Sequence, residues 1–141
     1  MMSETTAKKI LKQHGLRNTA FRQRVLEVFI DKKEIALSNS QIESNLTDYD
    51  RITLYRTLKS FEQAGIIHQA IDGSNDAKYA LCSDDCDVHN HNDDHAHFLC
   101  SVCKVTTCLD HVLTEPISMP NGYTIEKMHL AITGICPGCT A

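Results

Sequence analysis

The sequence predicts an α+β chain in two parts, a helical N-terminal unit closed by a β-hairpin and a small C-terminal α/β unit gathered around four cysteines. Three observations predict it. Apolar residues recur at helical spacing from residue 5 to residue 64, and the period becomes that of strands after Gly65. Cys100-x-x-Cys103 is then matched, after a gap of 32 residues, by Cys136-x-x-Cys139. At 141 residues the chain has room for one ordinary domain or two small ones. Two small units have thin cores and need a metal or a partner subunit.

Each element follows from its own residues. "TTAKKILKQH" reads as a helix that stops at Gly15, and "RNTAFRQRVLEVFI" as a second one, capped by Thr19, with Phe21, Val25, Val28 and Phe29 on one face. "SNSQIESNL" opens with Ser38 and places Gln41 three residues on, the capping-box spacing that satisfies two orphan amides. "DRITLYRTLKSFEQAG" starts at the N-cap Asp50 and ends at Gly65. Leu54, Leu58 and Phe61 share one face of it; Arg51, Tyr55 and Lys59 share another, with Arg56 beside them. "IIHQAI" and "AKYAL" flank the turn-forming "DGSND" and predict a hairpin. Three helices followed by a hairpin describe a winged helix-turn-helix domain over residues 1–81. Residues 82–94 form a His/Asp/Cys-rich hinge and loop, and residues 95–141 a second domain. In that domain "HFLC" and "KVTTCL" predict strands around a Cys-x-x-Cys turn, "HVLTE" a helical turn or two, "MPNGY" a turn, and "YTIEKMHLAITGIC" one long strand. A single sheet with so little cover leaves an edge open, which invites pairing with a second copy, so a homodimer is expected.

Charge divides the chain at the same place. Residues 1–80 carry 12 Lys/Arg against 10 Asp/Glu, whereas residues 81–141 carry 2 against 8. The overall acidity argues against indiscriminate polyanion binding, yet a local basic face suffices for DNA. No apolar run approaches the roughly 18–20 residues of a membrane span. "MMSETTAKKILKQHG" lacks the apolar core of a secretory signal, so a cytoplasmic protein is expected. In that compartment seven cysteines, an odd number, point to metal ligands or reactive thiols before disulfides.

Two metal centres follow from the donors. Two CxxC turns can present four thiolates to one tetrahedral ion, so Cys100, Cys103, Cys136 and Cys139 predict a structural Zn²⁺, one per subunit. Two redox pairs or plain buried thiols are the alternatives. His95 and His97, two residues apart on a strand, point the same way and can share an ion. With Cys82, and with His68 from the hairpin and Cys108 from the next strand, they make a second donor set across the boundary between the halves. A solvated polar loop is the plain alternative. For His68 and Cys108 the residues alone leave both readings open. Cys86, His89 and His91 add weaker donors to the loop. The remaining site is the helix over residues 50–64, whose Arg51, Thr53, Tyr55, Arg56 and Lys59 suit phosphates, base edges and thymine methyls. A charged surface helix is the commoner meaning of such a face; its place just before the hairpin favours a recognition helix.

Taken in order, "GLRNTAFRQRVLEVF", "TLYRTLKSFEQAGIIH", "HAHFLCSVC" and "GICPGC" resemble the ferric uptake regulator (Fur) superfamily of metal-dependent bacterial repressors over nearly the whole chain. The resemblance implies a winged-helix DNA-binding domain and a C-terminal dimerisation domain. It also implies a structural zinc on the four CxxC cysteines and a regulatory divalent metal at the interdomain hinge. The iron- and peroxide-sensing branches usually carry a histidine before the "LS" that opens the third helix, where this chain has Ala36. They usually place a carboxylate where it has Cys108. His68 after "GII", and Cys82 after the hairpin, are similar to the zinc-sensing (Zur) branch. Thiolate and imidazole donors also suit Zn²⁺ better than Fe²⁺. The expectation is a metal-dependent repressor, with no catalytic residue and no small-molecule substrate, that binds double-stranded operator DNA as a dimer once its regulatory site holds zinc. An iron- or peroxide-responsive relative, a zinc-buffering protein and a zinc hydrolase are the alternatives. The last would need an open metal position and a general base, which no spacing supplies.

Overall fold

A computed structural model of the chain describes residues 2–81, 96–109, 117–126 and 128–140. Its elements are α1 (Met2–Gln13), α2 (Ala20–Asp31), β1 (Ile35–Ser38), α3 (Asn39–Ser44), α4 (Arg51–Gln63), β2 (Ile67–Gln69), β3 (Lys78–Leu81), β4 (Ala96–Cys100), β5 (Thr106–Leu109), β6 (Leu130–Gly134) and a 3₁₀ turn at Pro137–Cys139. The helices begin where their caps dictate. Thr19 accepts from the Arg22 amide, Ser38 and Gln41 form the reciprocal box, and Asp50 accepts from the Thr53 amide. Two of them end on a left-handed glycine. At Gly15 (φ 72°) and Gly65 (φ 81°) the following amides, of Leu16 and Ile66, return to the carbonyls of Leu11 and Phe61 at 2.9 Å. That is the Schellman closure, and a side chain at either position would be strained.

The apolar face of each helix meets one core: Leu11 from α1, Val25, Leu26 and Phe29 from α2, Ile42 from α3, Leu54 and Phe61 from α4, and Ile66 and Ile67 leading into β2. Leu26 is fully buried whereas Phe21 is only partly so. Truncating a fully buried residue such as Leu54 to alanine costs about 2–5 kcal/mol.

The strands form one six-stranded sheet in the order β2-β3-β1-β5-β4-β6. β1 joins its two parts. Ile35 and Ala36 pair with Thr107 and Thr106 of β5, and then Leu37 and Ser38 pair with Tyr79 and Lys78 of β3. Four residues with no alternation give no strand signal of their own, and sequence reading passed over β1.

The last strand is corrected. Instead of running from Tyr123 to Cys136, the strand among the described residues is Leu130–Gly134, paired in parallel with Ala96–Cys100 of β4. Residues 123–126 lie outside any strand, and the Tyr123 and Ile125 side chains face solvent. The expected helical turn "HVLTE" lies outside the described residues, as do the expected hinge and loop over residues 82–94 and His95.

Candidate metal centres and nucleic-acid interface

β4 and β6 run parallel, with Cys100 opposite Gly134, so both strands finish at the same end of the sheet. Each CxxC turn follows directly. The Sγ atoms of Cys100, Cys103, Cys136 and Cys139 therefore lie within 4.8 Å of one another, and those of Cys103 and Cys136 are 3.8 Å apart. Sulfurs at the corners of a tetrahedron with Zn–S of about 2.3 Å are about 3.8 Å apart, so the cage fits a closed four-thiolate ion. Glycine at 134 leaves room for the Phe98 ring of the neighbouring strand: a Cβ there would lie 3.1 Å from it. The Cys103 and Cys136 amides donate to Cys100 Sγ and hold its thiol down at about 6, a thiolate at neutral pH. Cys139 is pushed up to about 12 by its hydrogen bond to Cys136 and by burial.

A second cluster sits where the hairpin meets β4 and β5. His97 and Cys108 face each other in the β4–β5 register, and His68 enters from β2. His68 Nε2 stands 3.2 Å from His97 Nε2 and 3.6 Å from Cys108 Sγ. Both imidazoles are 4% exposed. Donors on one tetrahedral Zn²⁺ would be separated by about 3.3 Å for N···N and about 3.6 Å for N···S, so the residues present fit such an ion. The structure thus brings together His68, His97 and Cys108, two of which the residues alone had left open. Cys82 and His95, and with them Cys86, His89 and His91, lie outside the described residues. Ala36, buried at this joint, packs with Ala70 and Ala80 against Cys108.

A buried polar network adjoins the cluster, and sequence reading missed it. Lys78 Nζ donates to Asp72 Oδ2 and to Thr106 Oγ1, linking the hairpin to β5. Although burial alone would raise it, the Asp72 carboxyl lies well below its ordinary range because Lys78, Ser74 and Thr106 all donate to it.

On α4, Leu54, Leu58 and Phe61 turn inward, and Arg51, Thr53, Tyr55, Arg56 and Lys59 are exposed. The Thr53 hydroxyl donates to Asp50, completing the cap rather than facing outward unengaged. Glu43 of α3 is a further residue that sequence reading passed over. Its Oε1 accepts from the Tyr55 hydroxyl at 3.2 Å and lies 3.4 Å from Arg51 Nε, so one carboxylate on the preceding helix tethers two of the outward residues.

Residues 13–133 match the model of the ferric uptake regulator family. The ferric uptake regulation protein of Staphylococcus aureus strain Mu50 is 32% identical over 144 residues, with 98% of each chain covered. That of Neisseria meningitidis serogroup A is 30% identical over 139 residues, covering 93% of this chain and 91% of the relative. Among solved structures, holo XcZur superposes with a TM-score of 0.64 at 16% identity, covering 96% of this chain and 97% of the other. The Vibrio cholerae ferric uptake regulator gives 0.62 at 18% identity, covering 92% and 98%. These two likenesses speak to the fold. With the family match spanning α2 to α4, the hairpin and the His68–His97–Cys108 cluster, the chain belongs to the ferric uptake regulator family, and it is a metal-dependent transcription regulator rather than an enzyme.

Proposed function

We propose that the chain is a zinc-responsive repressor that binds operator DNA as a homodimer. The carrying observation is the His68–His97–Cys108 cluster, in which donors from the hairpin and from β4–β5 converge on one point. Two imidazoles and a thiolate form a borderline-to-soft set that suits Zn²⁺ better than the hard-donor ions. Cys82 and His95 complete the proposed coordination.

The chain's own residues divide the work. Cys100, Cys103, Cys136 and Cys139 hold a permanent ion that closes the second domain. When bound, the second ion supplies a cross-link between imidazole and thiolate donors. His68 carries the hairpin and the helices behind it. His97 and Cys108 belong to the β4–β5 unit, so the arrangement in which all three meet is the one that zinc favours. That arrangement fixes the distance between the two recognition helices of a dimer, and a ligand biases such an equilibrium only through its differential affinity for the two states. Arg51, Arg56 and Lys59 face the backbone phosphates and guanine edges, and Tyr55 the sugar or thymine methyl.

The exposed Ile117, Met119, Tyr123 and Ile125, together with β6 at the edge of the sheet among the described residues, support pairing with a second copy. The proposed division remains residues 1–81 for DNA, 82–94 for the hinge and loop, and 95–141 for dimerisation and metal. No helix among the described residues is long and apolar enough to cross a membrane. A protein working on DNA belongs in the cytoplasm.

An iron-responsive reading is favoured by the names of the curated relatives, which are ferric uptake regulation proteins. Operator affinity measured with buffered Zn²⁺, Fe²⁺ and Mn²⁺ separates the two. Zinc stimulation at the lowest free concentration supports the proposal. Stimulation by Fe²⁺ alone replaces it, and a flat response to every ion removes both.

A further inference from the structure

The buried charges beside the metal cluster call for their own account. Asp72, Lys78 and Thr106 are 1%, 7% and 1% exposed. Lys78 Nζ donates to Asp72 Oδ2 at 2.7 Å and to Thr106 Oγ1 at 2.8 Å, and the Thr106 hydroxyl donates to that same carboxylate oxygen at 2.5 Å. The Ser74 amide and hydroxyl donate to Asp72 Oδ1 at 2.9 and 2.6 Å. Asp72, Ser74 and Lys78 belong to the hairpin; Thr106 belongs to β5. Desolvation of both charges offsets much of their attraction, so a buried ion pair is weak evidence of a purely stabilising role.

Its position suggests another role. Side chains alternate along a strand, so Thr106 lies on the same face of β5 as Cys108, and Lys78 on the same face of β3 as Ala80, the register partner of His68. Three buried alanines, Ala36, Ala70 and Ala80, form a cluster with Cys108 packed on it; Ala36 is the register partner of Thr106 and Ala80 that of His68. Such small residues let strands approach closely. The hairpin therefore meets β5 at two points, through the polar network at Thr106 and through the His68–Cys108 contact of the metal cluster.

We propose that Asp72, Lys78 and Thr106 are positioning residues that seat the hairpin on β5, so that His68 stands within reach of His97 and Cys108 before any ion arrives. The inference rests on the metal-responsive reading above and deepens it. Ordering His68 in advance removes a cost from metal binding, so the network sets the affinity of the regulatory site without touching the ion.

Thr106→Val is the discriminating variant, because it severs the hairpin from β5 while the Asp72–Lys78 pair stays intact within the hairpin. Thr106→Ser restores the hydroxyl. The probe is Co²⁺ titrated into the full-length chain, with ligand-field and thiolate-to-cobalt bands reporting the four-cysteine and the mixed histidine–cysteine sites separately. The wild type should bind two Co²⁺ per chain. Thr106→Val should fill the four-cysteine site normally and bind the second Co²⁺ about 10–100-fold more weakly, as loss of outer partners of metal sites does. Thr106→Ser should recover the wild-type value. Wild-type second-site affinity in Thr106→Val overturns the proposal, whatever its thermal stability. Should that variant fail to fold, Asp72→Asn with Lys78→Met removes the charge pair as a unit and is read by the same titration against the same outcomes. A wild-type chain that takes up only one Co²⁺ overturns both this inference and the metal-site reading beneath it.

Discussion

Replacing His68 with glutamine should uncouple DNA binding from zinc while leaving the fold standing. His97 and Cys108 are opposite one another in the β4–β5 ladder, so both lie on one side of the joint, and His68 is the donor that the described residues bring from the other side. Without His68, an ion on His97 and Cys108 gains far less from a seated hairpin, since only Cys82 of the proposed donors still lies next to the hairpin. A ligand without differential affinity shifts nothing, however tightly it is held. Coupling free energies in such proteins run at about 1–3 kcal/mol, or about 5–150-fold in operator affinity. His68→Gln should move that factor most of the way to 1 at saturating zinc. Glutamine keeps most of the volume of this buried residue, and the lost polar contact costs about 0.5–1.5 kcal/mol, too little to unfold an ordinary domain. Cys108→Ser is the contrasting control. It leaves His68 and His97 on opposite sides, so it should move the zinc concentration needed for the response but keep much of the response itself. Fluorescence anisotropy with labelled operator across buffered zinc reads both, with one retained zinc per chain as the check on the four-cysteine site. Full stimulation of His68→Gln, or identical behaviour of the two variants, would refute the reasoning.

Four further outcomes follow from the geometry. Cys136→Ser should collapse the second domain, because a four-thiolate zinc contributes on the order of 10 kcal/mol to folding; near-ultraviolet circular dichroism and zinc content check it. Gly134→Val places side-chain atoms against the Phe98 ring, already 3.1 Å from where a Cβ would sit, and should cost about 1–3 kcal/mol by thermal unfolding. Glu43→Gln removes the charge held beside Arg51, so binding to non-operator DNA should tighten and the salt slope should steepen by about one unit as one more phosphate contact forms. Asp72→Asn leaves the Lys78 charge buried without its partner and should cost on the order of 3–5 kcal/mol near neutral pH. Because the native carboxyl is depressed, the stability it provides is fully present above its ordinary value of 3.8 and fades as pH falls below it. The gap between variant and wild type in acid unfolding should therefore narrow only there; a gap that closes near pH 6 would contradict the assignment.

What could be read in advance depended on distance along the chain. The caps at Thr19, Ser38 and Asp50, and the stops at Gly15 and Gly65, each rest on residues within one turn of one another, so sequence alone places them. The inward stripe of α4 and the alternation of the hairpin are equally local. The long strand expected over residues 123–136 failed for the converse reason: alternation states that a segment can pair, while a partner some thirty residues away in the chain decides which part of it does. β1 was missed because its strand character comes from β3 and β5 rather than from its own four residues.

The same division holds at the sites. By itself the sequence determined the donor inventory, the two CxxC turns, the basic face of α4 and the family, since all of these are matters of residue type and short spacing. Only the tertiary structure decided which distant groups meet. His68 reaches Cys108 across 40 positions, Asp72 reaches Thr106 across 34, and both CxxC turns share one end because β4 and β6 run parallel. Strand order and register are set by which faces bury together, and burial is a property of the whole packed chain that no short window of residues contains.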